Sequence, residues 1–195
     1  IGGHAKAMVV TGSRLEAVRY KQEFDRYIQQ KGYPIKSLVA FSGTVEDDKV
    51  PEKTYTEVEM NDGLKEKDLP ETFAKPDFRV LLVAEKYQTG FDQPLLHTMY
   101  VDRRLAGIQA VQTLSRLNRT HPLKDDTFVL DFVNDPLEIQ EAFRQYYDGS
   151  VMGELVDPDR LYEVKAELDG VDEAVLVVDA GDWYQGTPEG ALGRG

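Results

Sequence analysis

The chain has 195 residues, 41% of them hydrophobic, with no cysteine and a formal net charge of −12. That length and apolar content suit one compact domain with a small appendage and exclude a wholly disordered chain. Disulfides and thiolate metal sites are excluded, no apolar run reaches the roughly 20 residues of a membrane span, and the acidic total excludes a uniformly basic nucleic-acid binder.

Ala7–Val10 reads as a short buried strand, followed by Thr11-Gly12-Ser13. Ser13 is a good N-cap, and Glu16 three residues later completes a capping box. Ala17, Tyr20, Phe24, Tyr27 and Ile28 then recur at helical spacing as far as Gly32. Ser37–Phe41 is a second apolar strand, ending at Ser42-Gly43. Residues 44–78 are charged, hold Pro51, Pro70 and Pro76, and read as a surface insertion with a short helix around 62–67.

Regular alternation resumes at Arg79–Ala84, a continuous apolar run of the kind buried on both faces. The segment Glu85–Pro94 leads to another strand at His97–Val101, and a helix is expected over 106–119. Thr127–Phe132 reads as a strand. Pro136 opens a helix carrying Leu137, Ile139, Phe143, Tyr146 and Tyr147. Strands alternating with helices predict an α/β fold, an open and mostly parallel sheet with helices on both faces. Residues 1–149 form that domain. The acidic segment 150–195, with a helix near 158–168 and a strand near 174–178, reads as an extension that begins a following domain. Both ends look cut from a longer polypeptide.

Charge is unevenly spread over this pattern. Residues 1–43 and 79–124 each carry seven bases against three acids, while 44–78 and 125–195 are strongly acidic. A DNA backbone responds to such local potential more than to the total, although ordinary solvated faces give the same tally.

Chemistry concentrates in two places. On an ideal helix Gln112, Arg116 and Arg119 lie at i, i+4 and i+7, within about 60° of one another. Ala110, Val111, Leu114 and Leu117 take the opposite side. Planar guanidinium forks suit a polyphosphate or a DNA phosphate, and two solvent-facing arginines are the plainer alternative. The second place is the loop after the strand at 79–84, where Gly90 permits a positive φ and Thr89 and Asp92 supply a hydroxyl and a carboxylate. His4, His97 and His121 show no metal-ligand spacing, so no metal site is expected. No G-x-x-x-x-G-K-[ST] loop is present. Val171-Asp172-Glu173-Ala174 mimics an acidic ATPase motif but precedes an apolar strand, where such a motif has no use. Asp125, Asp126 and Asp131 have no lysine arranged as in a nuclease site.

The stretch VLLVAEKYQTGFDQPLLHTMYVDR followed by GIQAVQTLSRLNRTHP resembles motifs V and VI of superfamily 2 helicases, in wording close to the motor subunits of type I restriction enzymes. KAMVVTGSRLEAVRY resembles motif IV of the same family, and DDTFVLDFVND continues the likeness, which covers residues 5–147. The resemblance implies a RecA-like second motor domain of an ATP-driven DNA translocase. It implies that Arg116 and Arg119 act as arginine fingers on ATP and Mg²⁺ held mainly by a first RecA-like domain of the same polypeptide. Gln112, Gly90 and Asp92 would serve the nucleotide, and Thr89, Ser42, Gly43 and Ser13 would contact the DNA backbone. Ser115 and Asn118 stand where many relatives carry glycines, which resembles the Swi/Snf-like branch and favours Arg116 as the stronger finger. The implied partners are double-stranded DNA and the methylation and specificity subunits, in the cytoplasm and without a membrane. By itself the segment would be inactive. Two alternatives stay open: another superfamily 2 helicase or remodeller, and a motor-like fold used only to bind proteins.

Overall fold

The computed structural model describes residues 3–50, 52–87, 90–148 and 175–177. In chain order they form β1 (Lys6–Thr11), α1 (Arg14–Lys31), β2 (Lys36–Ala40), β3 (Thr44–Glu46), β4 (Thr54–Thr56), α2 (Glu57–Met60), α3 (Leu69–Ala74), β5 (Phe78–Val83), β6 (Leu96–Asp102), α4 (Gly107–Leu114), β7 (Phe128–Asp131), α5 (Pro136–Asp148) and β8 (Val175–Val177). The main sheet runs β2-β5-β1-β6-β7-β8, and β3 and β4 pair as a separate two-stranded ladder. The first five strands of the main sheet are parallel. β8 joins the β7 edge antiparallel, Leu130 facing Val175. The fold is therefore α/β, a RecA-like parallel sheet flanked by helices.

The period-two alternation of the strands builds two cores. Met8, Val10, Leu38, Ala40, Leu81 and Val83 point to one face, where they meet Leu69 and Phe73 of α3, Leu114 of α4 and Ile139 of α5. Val9, Val39, Phe41, Leu82 and Ala84 point to the other, against Ala17 and Val18 of α1. A strand buried on both faces favours apolar residues on both, which is why β1, β2 and β5 carry the hydrophobic runs at 7–10, 38–40 and 80–83. Each side chain of this size taken out of water contributes roughly 1.5–3 kcal/mol.

Helix α1 begins as its capping box predicts. The Ser13 hydroxyl accepts from the Glu16 amide at 3.2 Å, and the Glu16 carboxylate accepts from the Ser13 amide at 3.0 Å. It ends at Gly32, whose φ of 65° takes the left-handed conformation.

Three expectations change. The helix expected over 106–119 ends at Leu114 and tightens into a 3-10 turn over Ser115–Leu117, so Arg119 lies beyond it. Ser115 and Asn118 are poor helix formers, and the carbonyl of Leu117 is taken up by the buried ammonium of Lys124 at 2.7 Å. The short helix expected around 62–67 is replaced by α2, a 3-10 turn at Glu66–Asp68 and α3. The segment 44–78 is more than a surface insertion: Val45, Tyr55, Leu69 and Phe73 are buried in the two cores. Its charged residues hid these few anchors. The strand expected near 174–178 is β8, whereas the helix expected near 158–168 lies outside the described residues, as does the Val171–Ala174 motif.

Candidate functional site

The loop that leaves β5 is built around a buried anchor. Lys86 donates to Glu57 and Glu66, both at 2.8 Å, and the Glu57 side chain is only 7% exposed. Burial opposes the Lys86 charge, but hydrogen bonds and attraction from the two carboxylates outweigh it and raise its pKa above the ordinary lysine value. Glu85 and Tyr87 on either side take φ of 59° and 61°, a left-handed conformation that costs an L-residue roughly 1–2 kcal/mol. Gly90 takes a φ of 73°. The loop then folds inward. Tyr87 packs on Phe91 at 4.9 Å between ring centroids, and Phe91 on Phe73 at 6.0 Å.

Phe91 is buried, so the residues beside it are held in place. Arg116 Nη1 donates to the Phe91 carbonyl at 3.3 Å, and its Nε donates to the carbonyl of Gln112 at 3.1 Å. Arg119 Nε donates to Asp92 Oδ1 at 2.9 Å, with the arginine side chain 28% exposed and the carboxylate 70% exposed. Gln112 is exposed on α4. Arg116 and Arg119 thus meet the loop at Phe91 and Asp92, although Asp92 and Arg119 are 27 positions apart. The convergence lies toward the amino ends of the strands, because Lys124 joins the carbonyls of Leu117 and Leu96, the first residue of β6. Burial, with a smaller contribution from Arg119, lowers the pKa of Lys124 to about 8. Thr89 lies outside the described residues.

Ser13, Ser42 and Gly43 form a second group at the carboxyl ends of β1 and β2. Arg14, which sequence reasoning passed over, links them: its Nη1 donates to the Ser42 carbonyl at 2.9 Å. Gly43 has a φ of 76°, and a Cβ there would lie 3.2 Å from the same Arg14 nitrogen. An open depression of about 390 Å³ adjoins them, lined by Ser13, Arg14, Leu15, Thr44, Val45 and Glu46. The two groups sit at opposite ends of the sheet. Guanidinium groups in both suit phosphate oxygens. Among the described residues no three His, Cys, Asp or Glu side chains gather as a metal site, and no helix is long and apolar enough to cross a membrane.

Residues 64–134 match the family model for domain 3 of the type I restriction enzyme R subunit. The chain is also 30% identical over 143 residues to a Methanocaldococcus jannaschii protein named as the type I restriction enzyme MjaIXP endonuclease subunit, covering 72% of this chain. The chain belongs with the R subunits of type I restriction enzymes. A second R-subunit relative from the same organism, named for MjaVIIP, is 30% identical over 138 residues, and the HindI endonuclease subunit of Haemophilus influenzae is 30% identical over 82. The chain spans only 13% of the length of the first two. Within this R-subunit segment, the family match takes in Gly90, Asp92, Gln112, Arg116 and Arg119, while Ser13, Ser42 and Gly43 precede it.

Proposed function

We propose that this chain is the second RecA-like half of the ATP-dependent DNA translocase motor in a type I restriction endonuclease subunit. The observation that carries the reading is the convergence of the loop after β5 with the end of α4, which sets Arg116 and Arg119 beside Asp92 on a partly exposed surface. Guanidinium groups held at a defined spacing can stabilise the charge that spreads over a transferring phosphoryl group. ATP with Mg²⁺, bound mainly by a first motor domain of the same polypeptide, would supply that phosphoryl group. Arg116 and Arg119 then bring positive charge to it, Gln112 lies on the same surface, and Gly90 and Asp92 fix the loop against which the arginines rest.

The Ser13, Arg14, Ser42 and Gly43 group would grip the backbone of duplex DNA at the other end of the sheet, with Thr89 a further contact. The methylation and specificity subunits are the partners in the cytoplasm, and DNA cleavage belongs to other parts of the full protein. The decisive experiment is Arg116→Ala in the full-length subunit. Loss of a finger lowers DNA-stimulated ATP hydrolysis on the order of 10³-fold or more. An unchanged rate would sink the reading.

A further inference from the structure

Glu57 stands between the two groups. Its Oε2 accepts from the backbone amide of Phe41 at 2.8 Å, immediately before Ser42-Gly43. The same oxygen accepts from Lys86 Nζ at 2.8 Å, in the loop after β5. Glu57 is buried, and its Oε1 is buried without a hydrogen-bond partner. An ionised carboxylate in such a place is held by its partners on Oε2, so displacing either one leaves it badly compensated. From Lys86 the contacts continue without a break: Tyr87 packs on Phe91, the Phe91 carbonyl receives Arg116, and the adjoining Asp92 receives Arg119. A shift of the β2 tip that disturbs the Phe41 amide therefore changes the hold on Lys86, and with it the loop that seats both arginines.

We infer that Glu57, joined to Phe41 N and Lys86 Nζ through one buried oxygen, is a positioning residue that couples DNA contact at the Ser42-Gly43 tip to the arginines at the far end of the sheet. This rests on the motor reading above. Neither Glu57 nor Lys86 touches nucleotide or DNA in that reading; they act through the elements they join. Contiguity makes the route physical, and coupling is established by a change in one site's response to the other.

The experiment uses the full-length subunit in its native assembly, with ATP hydrolysis measured across a titration of long unmethylated duplex DNA. Glu57→Gln keeps the acceptor for Phe41 N and removes the charge facing Lys86. Lys86→Met removes the cation, and Lys86→Arg keeps it. Glu57→Gln and Lys86→Met should each lower the ratio of DNA-stimulated to basal hydrolysis at least tenfold. The double variant should fall no further than the worse single one, and Lys86→Arg should retain most of the ratio. A purely structural role would lower thermal stability and scale both rates together, leaving the ratio unchanged, and that result overturns the inference. Should Glu57→Gln fail to fold, Lys86→Met against Lys86→Arg decides by the same ratio. Arg116→Ala, run alongside, separates the two claims. If it abolishes hydrolysis while the Glu57 and Lys86 variants keep the ratio, only the coupling fails; if it leaves hydrolysis intact, the motor reading fails and the coupling with it.

Discussion

The side chain of Asn61 pairs with both polar atoms of the Val39 backbone: Val39 N donates to Oδ1 at 2.9 Å, and Nδ2 donates to Val39 O at 2.7 Å. Among the described residues β2 is the outermost strand on its side of the main sheet, and no described strand pairs with these groups. Asn61 and Glu57, four residues apart at α2, meet Val39 and Phe41, two residues apart on the strand. Side chains from one short helix thus close an edge that would otherwise offer itself to another chain.

Replacing Asn61 tests this closure. Asn61→Ala leaves a buried donor and a buried acceptor unpaired, at about 1–3 kcal/mol each. Asn61→Asp keeps an acceptor for Val39 N but sets an oxygen against Val39 O, so it should lose nearly as much. Urea unfolding of the purified chain reads both. Stability within 0.5 kcal/mol of the parent, on the order of an ordinary surface substitution, would show that the edge does not need Asn61.

Two buried lysines give the fold a pH signature. Lys6 is 1% exposed and donates to the carbonyls of Lys75 and Phe78 at 2.9 and 2.7 Å. Burial, then Arg79, lowers its pKa from 10.5 to about 8, and burial with Arg119 does the same for Lys124. In both cases the unfolded chain holds the proton to higher pH than the native one. The native state is therefore penalised below pH 8, and stability rises between pH 8 and about 10, approaching about 1 kcal/mol per pH unit for each lysine. Tyr20 sets the upper limit. Its hydrogen bond to Asp102, with burial, pushes its pKa up to about 12, so its stabilisation is present below pH 10 and lost from there toward 12. Urea midpoints measured from pH 7 to 11 should climb and then turn over. Lys124→Met should roughly halve the climb, and a flat profile in the parent would refute the assignment.

Much of this was legible in the amino acids, and what was hidden has a physical reason. β1, β2 and β5 announce themselves through the apolar runs at 7–10, 38–40 and 80–83, which the sheet covers on both faces, and β6 and β7 through the buried Met99, Val101 and Val129. Ser13 and Glu16 announce α1 because a capping box is local chemistry. The end of α4 was misjudged because Leu117 fits the helical period while its carbonyl is drawn to Lys124, a contact that periodicity does not encode. Glu57 and Lys86 were passed over because a buried ion pair between residues 29 apart leaves no mark on either neighbourhood. The one available signal was a lone lysine just beyond an apolar strand. Arg14 leaves no local mark because its partner, the Ser42 carbonyl, is 28 positions away.

Arg14 separates stability from DNA contact. Ser13→Ala removes the capping oxygen and should cost about 1 kcal/mol in urea unfolding, while Ser13→Gly should cost only a few tenths. Arg14 is exposed, so Arg14→Ala should leave stability nearly unchanged. In the full-length assembly the same change should weaken DNA binding at every sequence and lower the slope of log affinity against log salt by roughly 0.9. A stability loss with an unaltered salt slope would make the Arg14–Ser42 contact a scaffold feature and exclude Arg14 from the proposed DNA contact.

The Asp92–Arg119 pair permits the sharpest division between holding the fold and serving the proposed motor. With the carboxylate 70% exposed, the pair is screened by solvent, and such pairs contribute about 0–1 kcal/mol. Asp92→Asn should therefore leave the unfolding midpoint almost where it was. Yet Asp92 adjoins Phe91, whose carbonyl also receives Arg116, so the carboxylate helps hold Arg119 beside the other guanidinium. Under the proposed motor reading, an arginine released from that position would have more conformations to lose before meeting a phosphate. Hydrolysis by the full-length Asp92→Asn subunit should fall by about 10-fold or more, well beyond any stability change, with its DNA affinity kept. An equal and modest decline in stability, DNA binding and turnover would mean that the ion pair serves packing alone.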